Sequence, residues 1–181
     1  MSDHFFIVTG GPGAGKTSLI EALSRRGLHV MPESGRAIIQ DERCRGGSAL
    51  PWADRAAYAE RMVDRDLRAY SDARALAGPV IFDRGIPDTL GYLTLCDLPV
   101  PPYIAAAARQ VRYNPRVFLA PCWDDIFIQD AERKQTRAEA EMTCGVMVET
   151  YKGLGYEIVE LPRTDVESRV DFLLAQMWPN K

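Results

Sequence analysis

Apolar residues arrive in short runs along the chain, and helical spacing, glycine or proline separates each run from the next. Phe5-Phe6-Ile7-Val8-Thr9, Leu28-His29-Val30-Met31, Val80-Ile81-Phe82-Asp83 and Arg116-Val117-Phe118-Leu119-Ala120 are of strand length. Tyr156-Glu157-Ile158-Val159-Glu160-Leu161 alternates and predicts a further strand. A helix is predicted from about Gly15 to Arg26, stopped by Gly27. A longer one is predicted from Trp52 to Ala77, with Ala59, Met62, Val63, Leu67, Tyr70 and Ala73 in a stripe and charged residues on the other faces. Tyr103 to Val111 follows a rigid proline-rich connector, Leu98 to Pro102, and predicts another helix. Thr136-Arg137-Ala138-Glu139 fits a capping box and opens a helix with Ala140, Cys144, Met147, Val148 and Tyr151 on one face. Thr164-Asp165-Val166-Glu167 fits the same pattern. It opens the last helix, whose expected core face is Val166, Val170, Leu173, Leu174 and Met177. Arg43 to Pro51 reads as a loop.

Strands that alternate with helices imply a mostly parallel sheet with helices on both faces, an α/β fold. A chain of 181 residues, 46% hydrophobic and 26% charged, is expected to form a single domain spanning residues 1–181. The formal net charge of −3 offers no global field for nucleic acid, so no nucleic acid partner is expected. Lysines are few, at 16, 134, 152 and 181, and the remaining positive charge is arginine. Cys44, Cys96, Cys122 and Cys144 are far apart in sequence and form no zinc-like cluster, as suits reduced thiols in a cytosol. The glycine-rich stretch begins within ten residues of Met1, so no signal peptide is expected, and no apolar run reaches membrane-spanning length. A cytoplasmic location is expected.

The chemistry concentrates in Gly10-Gly11-Pro12-Gly13-Ala14-Gly15-Lys16-Thr17-Ser18, which fits the P-loop pattern G-x-x-x-x-G-K-[ST]. It lies between a predicted strand and a predicted helix, the context that gives the pattern meaning. Glycines let successive backbone N–H groups turn toward a phosphate, and the helix start adds its own free N–H groups and the positive end of its dipole. Residues Gly11, Pro12, Gly13, Ala14, Gly15, Lys16, Thr17 and Ser18 are therefore the expected nucleotide-binding set. Lys16 is expected on the β- and γ-phosphates, and the Thr17 hydroxyl suits a Mg²⁺ ion. ATP and Mg²⁺ are the expected cofactors.

Further candidates sit where the strands end, the side on which open α/β sheets bind ligands. Glu33 and Arg36 follow the second strand as candidate acceptor-site residues; the plainer alternative makes Glu33 a helix-start carboxylate and Arg36 a solvated side chain. Asp83 ends the third strand in a Walker-B-like run and could hold Mg²⁺, with Arg84 next to it and Asp88 about a turn later. Tyr58, Tyr92 and Tyr103 could line a pocket, although aromatic residues at such spacing are more often core.

In this order, P-loop, strand ending in Pro-Glu, Phe-Asp-Arg-Gly at the third strand, then an arginine-bearing polar segment, the chain resembles the small AAA-like ATPase/kinase family that includes the ribosylnicotinamide kinase module of NadR. Arg116 to Leu174, with its Asp-x-Glu-Arg-Lys-Gln stretch and Leu-Gly-Tyr-Glu strand, adds to the resemblance. It implies a three-layer P-loop NTPase fold, a five-stranded sheet ordered 2-3-1-4-5 and a lid over residues 124–135. The chain is similar, more distantly, to deoxynucleoside kinases. That similarity implies Glu33 as general base, Asp83 on the metal and Arg84 on phosphates, with a lid arginine such as Arg133 clamping the transferred group. The chain departs from that pattern in offering only Arg133-Lys134 and Arg137 as lid cations.

Two functions remain open on these residues. One is a kinase that moves the γ-phosphoryl group of ATP to a small hydroxylic acceptor, nucleoside-like or similar. The other is a nucleotide-binding regulator or slow ATPase. A GTPase is disfavoured because no N-K-x-D motif occurs, and an AAA+ motor because Arg84 rather than glutamate follows Asp83. No residue pattern identifies the acceptor.

Overall fold

The computed structural model describes residues 3–123 and 136–177. The central strand, β1 (Phe5–Gly10), is buried along its whole length. Successive side chains of a strand point to opposite faces. Phe6 and Val8 therefore enter one core with Leu19, Leu23, Phe118, Val170 and Leu173. Phe5 and Ile7 enter the other with Phe82, Tyr113, Val117, Tyr151 and Tyr156. That double burial explains why the run is continuously apolar rather than alternating.

From β1 the chain continues through α1 (Lys16–Arg25), β2 (His29–Met31), α2 (Ser34–Arg45), α3 (Arg55–Ala73), β3 (Val80–Asp83) and α4 (Ile86–Leu95). It then passes through α5 (Pro102–Gln110), β4 (Arg116–Ala120), α6 (Arg137–Gly153), β5 (Glu157–Glu160) and α7 (Val166–Met177). The sheet order is β2-β3-β1-β4-β5, and every pairing is parallel. Register places Val8 beside Asp83 and Gly10 beside Ala120, so the loop after β1 and the tip of β3 open on the same edge. Helices α1 and α7 cover one face of the sheet, while α3 and α6 lie over the other. The five-strand α/β architecture and its order agree with expectation.

Several local expectations change. Residues 34–45 form a helix, so the expected loop starts only at Gly46, a left-handed C-cap with φ of 67°. The long helix begins at Arg55 behind an Asp54 cap that accepts from the Ala57 N–H, later than the expected Trp52 start. A helix absent from the sequence reading, α4, runs between β3 and the proline connector. The capping box at Thr136 forms as expected. At α7 the cap moves by one residue: Asp165, rather than Thr164, accepts from the Ser168 N–H at 2.9 Å. The hydrogen bonds hold the Asp165 carboxyl down at about 2. Among the described residues no helix is long and apolar enough to cross a membrane.

Candidate functional site

Gly13 and Gly15 have φ of 70° and 72°, the left-handed region that glycine enters without a Cβ penalty. These turns bring the loop round to the start of α1, whose N-cap is Gly15 and whose first turn carries no acidic residue. No side chain caps the N–H groups there, and backbone N–H groups at a helix start suit an anion. Lys16 is almost buried, and its ammonium donates to the carbonyls of Gly10 at 3.1 Å and Gly11 at 2.6 Å. Thr17 and Ser18 are exposed. The loop also touches α6: a Cβ on Gly11 would lie 2.5 Å from the Ala140 carbonyl and 2.9 Å from Cys122 Sγ. Only glycine fits that approach.

Three carboxylates and one arginine meet near the tips of β2 and β3. Glu33 occupies the N-cap position of α2 yet makes no capping hydrogen bond with its side chain. Instead it faces Arg84, whose Nε lies 3.3 Å away, with both side chains largely buried. Arg84 has φ of 71°, an unusual conformation for a residue with a Cβ. Its N–H donates to the Val8 carbonyl at 2.9 Å, and its Nη1 donates to Asp88 at 3.0 Å. Burial alone would lower the Arg84 guanidinium, but Glu33, Asp88 and Asp83 outweigh it and raise the group, so it stays charged.

Asp88 is the fixed point of this cluster. It accepts from Thr9 Oγ1 at 2.6 Å, Gly85 N–H at 3.1 Å and Tyr151 Oη at 2.5 Å in addition to Arg84. Thr9 lies on β1, Tyr151 on α6, and Arg84 and Gly85 in the turn before α4, so Asp88 ties β1, α4 and α6 together beneath the cleft. Asp83 differs in having one buried carboxylate oxygen, Oδ1, with no hydrogen-bond partner among the described residues. Burial, and then Glu33, raise its pKa against the pull of Lys16 and Arg84. An acceptor in that state is poised for a cation. The described residues hold no cluster of three or more His, Cys, Asp or Glu arranged as a resident metal site. A hard divalent ion would therefore complete its shell from phosphate and water, as Mg²⁺ commonly does.

Beside Pro12 of the loop opens a cavity of about 300 Å³, the size class of small-molecule sites. Glu33, Arg84 and Asp88 form its polar end, and Tyr58, Tyr92 and Met62 part of its apolar wall. Tyr58 and Tyr92 meet edge to face, with ring centroids 5.3 Å apart. Tyr103 is half exposed and is not among the lining residues. Arg36, one turn into α2, is also not among them.

Asp66 on α3 lines the cavity too, and the sequence reading missed it among the charged residues of a long helix. It accepts a hydrogen bond from Ser34 Oγ. Burial pushes its carboxyl up to about 7, partly opposed by that hydroxyl. The expected lid, residues 124–135 with Arg133 and Lys134, lies outside the described residues. Arg137, the remaining lid candidate, pairs with Glu141 at 2.8 Å at the exposed start of α6.

A model of the AAA domain family matches residues 5–169. No curated protein matches the sequence. Among solved structures, NadR in complex with NR superposes with a TM-score of 0.73 at 18% identity, covering 99% of this chain and 53% of that one. Deoxyadenosine kinase from M. mycoides, with products dCMP and a flexible dCDP bound, gives 0.67 at 14% identity, covering 96% and 98%. Thymidylate kinase from Candida albicans gives 0.70 at 11% identity, covering 97% and 91%. The shared feature at these identities is the fold.

Proposed function

The chain belongs to the AAA domain family, and from that membership and the cavity beside its glycine loop we propose that it is a small-molecule kinase. It transfers the γ-phosphoryl group of ATP to a hydroxyl of a small metabolite. The observation that carries this reading is the cavity beside the glycine loop. A protein that only senses nucleotide needs a phosphate cradle. This one adds about 300 Å³ of lined space, bounded by Pro12 of the loop and by the Glu33–Arg84 pair. The fold neighbours are kinases that act on nucleosides, nucleotides or shikimate, which supports the general class.

In this reading the backbone N–H groups of Gly13 to Ser18 hold the phosphates, Pro12 having none to offer. Lys16 leaves the Gly10 and Gly11 carbonyls to bind the β- and γ-phosphates, because a charged acceptor outcompetes neutral carbonyls. Asp83 and Thr17 fit Mg²⁺, the first through its unpartnered buried oxygen and the second through an exposed hydroxyl beside the loop. When bound there with nucleotide, the ion supplies neutralisation of phosphate charge. Arg84, fixed by carboxylates on both sides, presents positive charge between the two sites. Glu33 orients the acceptor hydroxyl and takes its proton as the bond to phosphorus forms. Phosphoryl transfer asks mainly for position and charge neutralisation, which this arrangement supplies without a covalent intermediate.

The test is acceptor-dependent turnover. The protein is incubated with γ-labelled ATP and Mg²⁺ across a panel of nucleosides, sugars and other polyhydroxylated metabolites. Label is then followed into product and into inorganic phosphate. Transfer to one acceptor class supports the kinase. Tight ATP binding with no acceptor anywhere in the panel would move the reading to a nucleotide-binding regulator.

A further inference from the structure

Arg169 lies on α7, where a solvated residue would be expected, yet it is only 3% exposed. Its two terminal nitrogens, Nη1 and Nη2, each donate to the carbonyl of Ala14 at 3.2 Å. Ala14 is the residue between the two left-handed glycines of the loop. Arg169 Nε is buried with no hydrogen-bond partner among the described residues. No carboxylate forms an ion pair with Arg169 among the described residues, and burial, with nothing to offset it, lowers its guanidinium. Lys16 by contrast has Asp83 within electrostatic reach.

A buried guanidinium without a counter-charge is strongly unfavourable. Its location makes this worse. The start of α1 is the positive end of a helix dipole, it has no acidic residue in its first turn, and it already holds Lys16. Positive charge collects at this point, and among the described residues no carboxylate pairs with Arg169 to balance its share. An anionic ligand in the loop would provide that balance.

We propose that Arg169 is a second cation of the phosphate site, a positioning residue that acts from behind the loop through the Ala14 carbonyl. This rests on the loop's being a nucleotide phosphate site. By gripping the carbonyl of Ala14 from the α7 side, the guanidinium fixes the orientation of the peptide that joins Ala14 to Gly15. Its uncompensated charge also raises the loop's affinity for the more highly charged phosphates. α7 thereby becomes part of the nucleotide site without lining it.

The experiment compares the parent with Arg169→Lys, which keeps the charge, and Arg169→Gln, which keeps a donor without it. AMP, ADP and the non-hydrolysable analogue AMP-PNP are titrated by calorimetry with Mg²⁺, and each protein is melted without nucleotide. The glutamine variant is expected to lose about tenfold in AMP-PNP affinity, the scale of one unit charge roughly 10 Å from another at an effective dielectric of about 20. AMP should change little, the lysine variant should stay near the parent, and the nucleotide-free melting temperatures should stay close together. Equal affinities in the two variants would overturn the proposal. So would equal losses for AMP and AMP-PNP that follow a fall in melting temperature, because that pattern describes a structural plug. A parent that binds no nucleotide fails the phosphate-site reading itself and takes this inference with it. A measurement on the parent covers a glutamine variant that does not fold. The Arg169 Nε–H resonance, assigned by its loss in the lysine variant, should shift when inorganic pyrophosphate is added, and an unmoved signal overturns the proposal.

Discussion

Glu33→Gln separates a group that works on the acceptor from one that merely pairs with Arg84. The pair at 3.3 Å has a gross Coulomb energy of roughly 5 kcal/mol at an effective dielectric of about 20. Much of this is not lost on substitution. Arg84 keeps Asp88 at 3.0 Å, glutamine can still accept from the guanidinium, and the desolvation penalty of the Glu33 charge disappears. The net loss of stability is expected to be about 1–2 kcal/mol, below the loss from stranding a buried charge completely. For a chain of this size that is a melting temperature lower by roughly 2–8 °C. Transfer should suffer far more, by about 10²–10⁴-fold, the range for a removed general base. Nucleotide affinity should barely move, because the phosphate loop is a separate part of the cleft. The assay is rapid-quench single turnover from γ-labelled ATP to the acceptor found in the screen, with nucleotide affinity measured in parallel. A folded variant that transfers at near the parent rate would remove Glu33 from the mechanism. A rate loss matched by an equal loss of nucleotide affinity would also refute the reasoning, since it would place the effect on the donor side.

Asp83→Asn should weaken Mg²⁺-dependent turnover more than metal-free nucleotide binding. It also removes a buried charge with an unpartnered oxygen, so the nucleotide-free protein should melt no lower than the parent. A variant whose Mg²⁺ dependence matches the parent's makes Asp83 structural. Asp66 supplies a pH signature, because its carboxyl lies at about 7 in the folded protein against 3.8 for an ordinary aspartate. Between those values the folded state holds a proton that the unfolded chain has released, so this group's contribution to stability declines as pH rises from about 4 to about 7 and is flat above. The slope from one proton is at most about 1.4 kcal/mol per pH unit. Urea titrations across that window should show the decline in the parent and a flatter profile in Asp66→Asn; identical profiles would show that Asp66 titrates normally.

The sequence made β1, the glycine loop and the Thr136 cap readable because each depends on neighbours in the chain. An apolar run, a left-handed glycine and an i to i+3 box are local devices. Helix α2 was hidden because its buried side includes Ser34, Gly35 and Glu42 beside only two isoleucines, so no apolar stripe marks it. Glu42 is inside because it accepts from the Ala49 N–H and pairs with Arg61, contacts that exist only once the loop folds back. Helix α4 failed for the opposite reason. Packed against α3, α5 and α6, it is apolar on most sides and has no polar face to set a period.

The site divides in the same way. Lys16, Glu33 and Arg84 follow strand ends and Asp83 closes one, and strand ends can be read from the apolar runs. Asp66 and Arg169 sit on helix interiors among other charged residues, and only the packing of α3 against α2 and of α7 against α1 shows which charges turn inward. At the last helix, Thr164 and Asp165 were both competent caps. The Asp165 carboxylate took the position by accepting from both the N–H and the hydroxyl of Ser168.

The position of β1 at the middle of the sheet has a consequence during synthesis. The most apolar strand leaves the ribosome before either of its partners, so Phe5 must wait for Val80, and Ile7 for Val117, before its neighbours exist. At about 5–20 residues per second, the first of those intervals is roughly 4–15 s. Throughout it, Phe5-Phe6-Ile7-Val8 has no strand partner, and both of its edges are open to pairing with another nascent chain. The long-range register that creates the cleft therefore also makes the new chain most vulnerable before β3 is complete. Substitutions that slow the arrival of β3 should lower yield without altering the finished fold.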